Sequence, residues 1–224
     1  MIKANINELE YYLIDPASSQ KPESISDRAY ELWSKVWKDT YKKLGADSMC
    51  PLYSDEFLQR EVSYLEHAGC PVALMLHHCV DLTSKKQQDS SYFKNISKEV
   101  IESLLAAGAC QVFIMTYITV NPEWRTPFSG VSMPDLLFSL SMKRFKEMGC
   151  QRSIWYVRSD KTFYKKFFKY GAELLGKGDA FNVEVAYCQL EKEKLVFAGD
   201  QKINELVDRL WLNKNKENRL QKVA

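Results

Sequence analysis

The sequence lacks the signatures of several common protein classes. No stretch of about 18 consecutive apolar residues occurs, so we predict no membrane-spanning helix. The N-terminal residues MIKANINELEYY contain no apolar region of the kind that signal peptides carry. There is no CxxC pair, HExxH motif, GxxxxGK[ST] phosphate loop or GxSxG turn. The sequence therefore predicts neither a zinc enzyme nor a P-loop or serine hydrolase active site.

Neither sign of charge is in large excess. The chain has 31 Lys and Arg against 29 Asp and Glu, a formal net charge of +2, which argues against a nucleic-acid-binding protein with a broad basic surface. The cysteines are widely spaced, and several lie in or beside apolar runs, where free cysteine packs as a small hydrophobic residue. We therefore expect a reducing, cytoplasmic setting. The six cysteines are Cys50, Cys70, Cys79, Cys110, Cys150 and Cys188.

Apolar runs and amphipathic segments alternate along the chain. Hydrophobic residues make up 46% of the 224 residues, enough for a core that needs no disulfide or metal. The alternation predicts an α/β (α+β) fold. The predicted strands are 72–80, 111–120, 153–157 and 182–190. The predicted helices are approximately 27–43, 55–65, 96–107, 133–148, 160–169 and 200–212.

We expect the whole chain, residues 1–224, to form a single domain. Residues 1–27 are predicted to be a partly flexible lead-in. Residues 200–212 are predicted to form an appended helix, followed by a frayed polar tail, 213–224. The apolar stripe of the appended helix suits either the domain's own sheet or a partner, so a homodimer stays open as an alternative.

The segment from Ile118 to Ser132 has features suited to holding a phosphate group. Ser132 is a good helix N-cap, and the free N–H groups and dipole at a helix N-terminus attract anions. Gly130 allows the backbone to approach a ligand closely, and the Arg125 guanidinium matches phosphate geometry. Many helices that begin with serine beside a glycine bind nothing, so these residues alone leave both interpretations open.

The same segment resembles the acyl-CoA site of the GNAT acyltransferase superfamily. In that family the strand before the loop ends in a pattern like V-x-P-x-x-R, and Val120 to Arg125 reads VNPEWR here. The later strand and helix, 153–157 and 160–169, are similar to the next family segment. The resemblance covers roughly residues 110–178 and implies a GNAT-like mixed central sheet flanked by helices.

The resemblance also implies roles for individual residues. Backbone groups around Ile118 and Val120 would bind the pantetheine arm, and the N–H of Val120 would polarise the thioester carbonyl. N–H groups of the loop would bind the pyrophosphate. The implied acyl-CoA-binding residues are Ile118, Val120, Arg125, Thr126, Ser129, Gly130, Val131, Ser132, Asp160 and Phe167.

The sequence departs from the family pattern in two places. Its turn is about two residues longer than the usual one and has Ser132 in place of the second small residue. The position of the tyrosine that often protonates the thiolate holds Phe167. Either Tyr170 or Tyr164, one helical turn away, could substitute, and Tyr164 is the first candidate because it lies on the same helical face as Phe167. Tyr164 and Phe167 fit equally well as core aromatics.

Some branches of the family that use long acyl groups on acyl carrier protein often lack that tyrosine. They include homoserine lactone synthases and N-acyl amino acid synthases, and the inserted region 81–108 is also similar to theirs. Their carriers bind basic surface residues, and two predicted helices here carry suitable ones, although these fit solvated helix faces as well. The basic residues are Lys143, Arg144, Lys146, Lys165, Lys166 and Lys169.

The resemblance implies an N-acyltransferase of the EC 2.3.1 class. It would move an acyl group from acyl-CoA or acyl carrier protein to a small amine by direct attack on the thioester, without a metal. His78 is the first candidate for the base, since His77 and His78 point to opposite faces of a strand, and Asp81 and Glu123 come next. The alternative is a non-catalytic GNAT-fold module that binds CoA or another protein.

Overall fold

A mixed seven-stranded sheet forms the centre of the protein. The computed structural model describes residues 5–18, 24–46, 52–90, 92–93, 96–160, 163–197 and 200–214. The strands are β1 (Leu9–Ile14), β2 (Glu61–His67), β3 (Cys70–Asp81), β4 (Gln111–Val120), β5 (Arg152–Arg158), β6 (Glu173–Ala180) and β7 (Val183–Glu191). Their order is β1-β2-β3-β4-β5-β7-β6, and every neighbouring pair is antiparallel except β4 and β5.

Helices cover both faces of this sheet. They are α1 (Ile25–Lys43), α2 (Ser54–Leu58), α3 (Lys85–Gln88), α4 (Lys98–Ala106), α5 (Met133–Glu147) and α6 (Gln201–Leu212). Helices α1 and α4 pack on one face, whereas α5, α6 and a 3₁₀ helix at Phe163–Tyr170 pack on the other.

Strand β3 shows how one apolar run serves two faces. Ala73 and Met75 belong to the cluster under α5 and α6, whereas Leu74 and Leu76 belong to the cluster under α1. Successive side chains of a strand point to opposite faces, so a strand that is covered on both sides is apolar at nearly every position. This explains the continuous apolar pattern of residues 72–80.

Helix α1 begins at a capping box. The Ser24 hydroxyl accepts a hydrogen bond from the Asp27 N–H at 3.2 Å, and the Asp27 carboxylate accepts one from the Ser24 N–H at 3.0 Å. The buried face of α1 carries Trp33, whose ring contacts Phe57 and Tyr117. These contacts hold α1 against the sheet and bring its next turn close to β4.

Helix α6 is capped by Asp200, which accepts a hydrogen bond from the Ile203 N–H at 2.8 Å. Its buried side chains include Leu206 and Leu210, which join the cluster formed with α5 and β1. The apolar stripe predicted for residues 200–212 therefore covers this domain's own sheet.

The predicted helix over residues 55–65 is wrong. Helix α2 ends at Leu58, and β2 follows at once and pairs with both β1 and β3. The segment VSYL is rich in residues that favour strands, and Ala68 and Gly69, with φ angles of 47° and 79°, form a two-residue turn into β3. Sheet pairing on both sides outweighs the helix-like spacing of the apolar residues.

Two strands have no counterpart among the predicted elements. Strand β1 lies within the predicted lead-in, 1–27, and β6 has the weakly apolar sequence ELLGKGDA; both are edge strands. The predicted helix over 160–169 is the 3₁₀ helix Phe163–Tyr170. The other predicted elements are confirmed, with ends shifted by a few residues. Residues 19–23 and 215–224 lie outside the described residues.

Candidate active site

Strands β4 and β5 separate part-way along the sheet. Their parallel ladder pairs Val112–Ile114 with Arg152–Ile154 and ends there. Beyond Ile114, the edge of β4 that faces β5 has no strand beside it among the described residues. Backbone N–H and C=O groups at such an edge require partners, and a ligand can supply them.

A β-bulge bends the open part of β4. The register with β3 shifts between Leu74 and Leu76, and Tyr117 opposite this shift has a φ of 56°. Left-handed backbone is uncommon for a bulky aromatic residue, and a bulge changes the direction of the side chains around it. The bulge lies just after the point where β4 leaves β5.

The space between the separated strands is an apolar cleft of 380 Å³. Its lining comes from both faces of the sheet, which shows that the cleft passes between β4 and β5. Volumes of this size enclose drug-sized ligands, and an apolar wall suits a hydrocarbon chain. Lining residues include Trp37 of α1, Leu44 directly after α1, Ile118 of β4, Phe138 of α5, Trp155 of β5 and Phe163.

A polar cluster lies where the cleft meets α1 and α2. The Tyr117 hydroxyl donates a hydrogen bond to the half-buried Glu56 carboxylate. The Arg60 guanidinium donates to the Thr116 hydroxyl at 2.8 Å and lies 5.8 Å from the centroid of the Tyr117 ring. Both Thr116 and Tyr117 line the cleft.

The Tyr117 hydroxyl stays protonated at neutral pH. Burial raises the pKa of Tyr117 well above its ordinary value, and the nearby Tyr41 and Glu56 add to this rise. Sequence reasoning missed Glu56 and Tyr117, since one lies in an acidic helix start and the other in an apolar strand. The available signal is weak: a tyrosine in a buried strand needs a hydrogen-bond partner for its hydroxyl.

A cationic groove of 510 Å³ adjoins the cleft. It lies between α1 and the ends of β4 and β5, and it shares Thr40, Leu44 and Arg158 with the cleft wall. Arg28 and Arg158 are ion-paired with Glu66 and Asp160, so the attraction for an anionic group at the mouth of the apolar cleft comes mainly from Lys35, Lys43 and Arg125. The charged lining residues are Arg28, Glu31, Lys35, Asp39, Lys43, Arg125 and Arg158.

The predicted phosphate-binding turn is a closed hairpin. Phe128 and Val131 exchange two backbone hydrogen bonds, of 3.0 and 2.9 Å, around Ser129 and Gly130, whose φ angles are 52° and 79°. The Lys202 ammonium group of α6 donates to the carbonyl of Ser129. The Val131 N–H is therefore engaged within the turn, whereas Ser132 caps α5 by accepting from the Asp135 N–H.

The other predicted donor-binding residues of this segment are divided between two surfaces. Ile118 lines the cleft, whereas Arg125 lines the cationic groove, and its Nε donates to the Val120 carbonyl at 3.4 Å. Val120 itself is buried and paired with Ala73 of β3. Thr126 is exposed on the loop.

The predicted site residues of the later strand and helix, in residues 153–169, are not brought together. Phe167 is buried, with its ring centroid 4.4 Å from that of Phe138, as expected for a core aromatic. Tyr164 is half-buried beside Phe168 and does not line the cleft. Asp160 is exposed and forms an ion pair of 2.6 Å with Arg158, which places it near the groove.

Neither histidine of β3 lines the cleft. His77 is buried under α5, where its Nε2 lies 3.0 Å from the Ser141 hydroxyl. His78 points to the opposite face beside Tyr92, at a register position opposite Ile114, where β4 and β5 are still paired. Burial, with the charges of Arg60 and His77, lowers the pKa of His78 to about 3. The next candidates also lie outside the cleft lining: Asp81 accepts from Thr83, and Glu123 is exposed.

Two further findings concern the described residues. They contain no group of three or more His, Cys, Asp or Glu side chains placed to hold a metal ion. Within them, no helix combines the length and apolarity that crossing a membrane requires.

Comparison with solved structures gives the fold. FeeM, an N-acyl amino acid synthase from uncultured soil microbes, is 12% identical, with a TM-score of 0.55 over 83% of this chain and 91% of its own. BjaI, a CoA-dependent acyl-homoserine lactone synthase solved with SAM and isopentyl-CoA, is 13% identical, with a TM-score of 0.57 over 91% and 90%. The yncA protein of Salmonella typhimurium, solved with acetyl-CoA, is 11% identical, with a TM-score of 0.51 over 87% and 99%.

At this level of identity the comparisons establish the fold alone. The GNAT-like mixed sheet flanked by helices, which the resemblance implied, is confirmed. No family model matches the sequence. No curated protein matches it either.

Proposed function

We propose that this protein is an N-acyltransferase that moves an acyl group from a thioester donor to an amine. The observation that carries the proposal is the apolar cleft between β4 and β5, which has an unpaired backbone edge on one side and a cationic groove at its mouth. Structures of similar fold hold isopentyl-CoA and acetyl-CoA, which supports an acyl-CoA donor. Acyl carrier protein is the alternative donor.

The cleft suits an acyl group longer than acetyl. Its 380 Å³ of mainly apolar space falls in the range that encloses drug-sized ligands. In our proposal the acyl chain of the donor lies between β4 and β5. A backbone N–H of the open edge of β4, such as that of Val120, polarises the thioester carbonyl. The donor's phosphate groups lie at the mouth, near Arg125 and the loop from Thr126 to Ser132.

Glu56 and Tyr117 replace His78 as the proposed proton acceptor. An amine attacks a thioester only when it is neutral, so its proton must be removed. The Tyr117 oxygen takes this proton as its own hydroxyl proton passes to the Glu56 carboxylate, to which it is already hydrogen-bonded. Arg60 and Thr116 hold the cluster at the cleft wall. Tyr164 stays a prediction as the residue that protonates the thiolate.

Thermal unfolding with different donors tests the binding half of this proposal. A ligand that binds only the folded protein raises the melting temperature in a concentration-dependent way. We expect a larger rise with decanoyl-CoA than with acetyl-CoA or free CoA. The variant Ile118→Trp should abolish the rise because it fills the cleft, whereas Val196→Trp, at a site that is exposed and outside the cleft, should not.

Thiol release from the same donors, in the presence of a panel of amines, tests the chemistry. Decanoyl-acyl carrier protein is assayed alongside. Binding of a donor without release of thiol, for every donor and amine, would favour the non-catalytic module. Two observations support that alternative: the Val131 N–H is already hydrogen-bonded within its turn, and position 167 holds phenylalanine instead of tyrosine. A lack of binding by every thioester would overturn the proposal itself.

A further inference from the structure

Two cysteines that are distant in sequence lie together beside the paired part of β4, outside the lining of the cleft. The Sγ atoms of Cys79, in β3, and Cys150, between α5 and β5, are 3.0 Å apart although 71 residues separate them. A disulfide has an S–S length of about 2.05 Å, so an approach of about 1 Å would join them. Cys79 is exposed to solvent, whereas Cys150 is buried.

We propose that Cys79 and Cys150 are an oxidative modification site that takes up a reversible intramolecular disulfide. Two S–H bonds break and one S–S bond forms, and two electrons and two protons pass to an oxidant. With a peroxide as the oxidant, one thiolate attacks the peroxide to give a sulfenic acid and an alcohol or water. The second thiol then attacks that sulfur and displaces water.

The surroundings of the pair favour this chemistry. Hydrogen bonding between the two thiols raises the pKa of Cys79, whereas the same contact and the positive charge of Lys192 lower the pKa of Cys150. The thiolate is the reactive form of cysteine, so Cys150 is the thiol that attacks the oxidant. The exposure of Cys79 gives a small oxidant access to the pair. Among the cysteines that the structure describes, Cys188 is buried and burial raises its pKa to about 12, whereas Cys70 and Cys110 are exposed.

The disulfide would connect the end of β3 to the connection that enters β5. Cys79 pairs with Phe113, which in turn pairs with Ser153, so the bond lies beside the short ladder that holds β4 and β5 together. A cross-link over a loop of 71 residues restricts the unfolded chain. We expect it to raise the melting temperature by roughly 5–15 °C and to leave the open end of the cleft unchanged.

Mass spectrometry of the full-length protein tests the inference. The reduced protein is treated with hydrogen peroxide or oxidised glutathione and digested without reduction. We expect a peptide containing Cys79 joined to one containing Cys150, a loss of two hydrogens, and a rise in melting temperature that dithiothreitol reverses. Cys79→Ser should abolish the joined peptide and the rise, and Cys110→Ser, at a matched exposed cysteine, should retain both.

The variants also give the results that would overturn the inference. Oxidation that leaves Cys79 and Cys150 unlinked, or that joins Cys79 to another cysteine, would exclude the site. A rise in melting temperature that survives in Cys79→Ser would assign the effect to another residue. The readout does not involve acyl transfer, so it is independent of the proposed function.

Discussion

The two halves of β4 have similar apolar sequences but different neighbours. Residues Val112–Ile114 are paired with β3 on one side and β5 on the other, whereas beyond Ile114 the strand pairs with β3 only and is interrupted by the bulge at Tyr117. In the closed half, every residue has a strand partner on both sides and its side chain is buried. In the open half, one backbone edge and several side chains face a cleft. The point where pairing stops is where β4 changes from a core strand to a strand whose edge borders the cleft.

Side-chain burial also differs between the two halves of β4. Phe113 is buried between His77 and Phe145, with ring centroids 5.1 and 5.6 Å away. Ile118 is only half-buried and forms part of the cleft wall. If this difference is what separates fold from function, substitutions in the closed half should affect stability, and substitutions at the open half should affect ligand and catalysis.

The largest expected effect is on stability, in the closed half. Phe113→Ala should lower the free energy of unfolding by about 3–5 kcal/mol, because it removes a fully buried ring and leaves a cavity. Ile118→Ala should lower it by roughly 1 kcal/mol, because that side chain already faces the cleft. Urea unfolding of both variants measures the difference. Equal losses would mean that the open half is packed as tightly in solution as the closed half.

The next effect is on catalysis, in the open half. Glu56→Gln and Tyr117→Phe should each lower kcat/KM for the amine by at least about 100-fold, equivalent to ~2.7 kcal/mol, because each removes one step of the proposed proton path. Thiol release measured across pH checks this, since the loss of the base should also change the pH profile. The shift in melting temperature with the acyl donor should persist.

Glu31→Gln is the matched control for this prediction. Glu31 is an exposed carboxylate of α1 that lines the groove rather than the cleft, so its loss should leave the pH profile unchanged. A similar loss in Glu31→Gln would point to the overall charge of the groove, and full activity in both Glu56→Gln and Tyr117→Phe would remove these residues from the mechanism.

A smaller effect concerns acid stability at the junction of the halves. Burial alone would raise the pKa of Glu61, but the nearby His77 and the hydrogen-bonded ion pair with Arg144, at 2.7 Å, outweigh it and lower the pKa from 4.5 to about 2. Because the folded pKa lies below the unfolded one, the stabilisation is complete above about pH 4.5 and is lost as the pH falls towards 2. Its size is roughly 2 kcal/mol, after allowance for the partial exposure of Glu61.

Urea unfolding between pH 6 and pH 2 measures this contribution. The stability of Glu61→Gln should fall less steeply with acidification than that of the unsubstituted protein. Glu173→Gln provides the control, since Glu173 is exposed on the edge strand β6 and its ion pair with Lys194 is solvated. Parallel curves for the unsubstituted protein and Glu61→Gln would exclude the contribution.

The smallest effect is expected at the turn that follows the open half. Gly130 has a φ of 79°, which costs a residue with a Cβ about 1 kcal/mol, so Gly130→Ala should lower the free energy of unfolding by that amount. Gly149 has no left-handed backbone and nothing within 4 Å of an added Cβ, so Gly149→Ala should be neutral or slightly stabilising. Thermal unfolding of the pair measures the contrast, and an equal response would contradict the hairpin conformation.

Much of the fold was predictable from local patterns. The apolar runs of β3 and β4 and the periodic apolar residues of α5 and α6 are long enough to identify their elements. The edge strands β1 and β6 were not predictable in this way, because one side of each is open to solvent. Strand β2 was misread because Leu58, Val62 and Leu65 fit a helical spacing that sheet pairing overrides.

The candidate site was predictable only in part. The resemblance in the Val120–Arg125 segment identified the strand that borders the cleft and the loop that borders the cationic groove, and Ile118 does line the cleft. The candidate base, His78, was predicted from its residue type and strand position, yet its register places it at the paired end of β4 and β5. Nothing local in the sequence indicates where two parallel strands stop pairing.

The sequence by itself determined the alternation of strands and helices, the cap at Ser132 and the family resemblance. Each of these features is carried by short segments of neighbouring residues along the chain. The tertiary structure decided the separation of β4 from β5, and also the contacts of Glu56 with Tyr117 and of Cys79 with Cys150. The partners in those contacts are 61 and 71 residues apart, so only the folded sheet and its helices bring them within bonding distance.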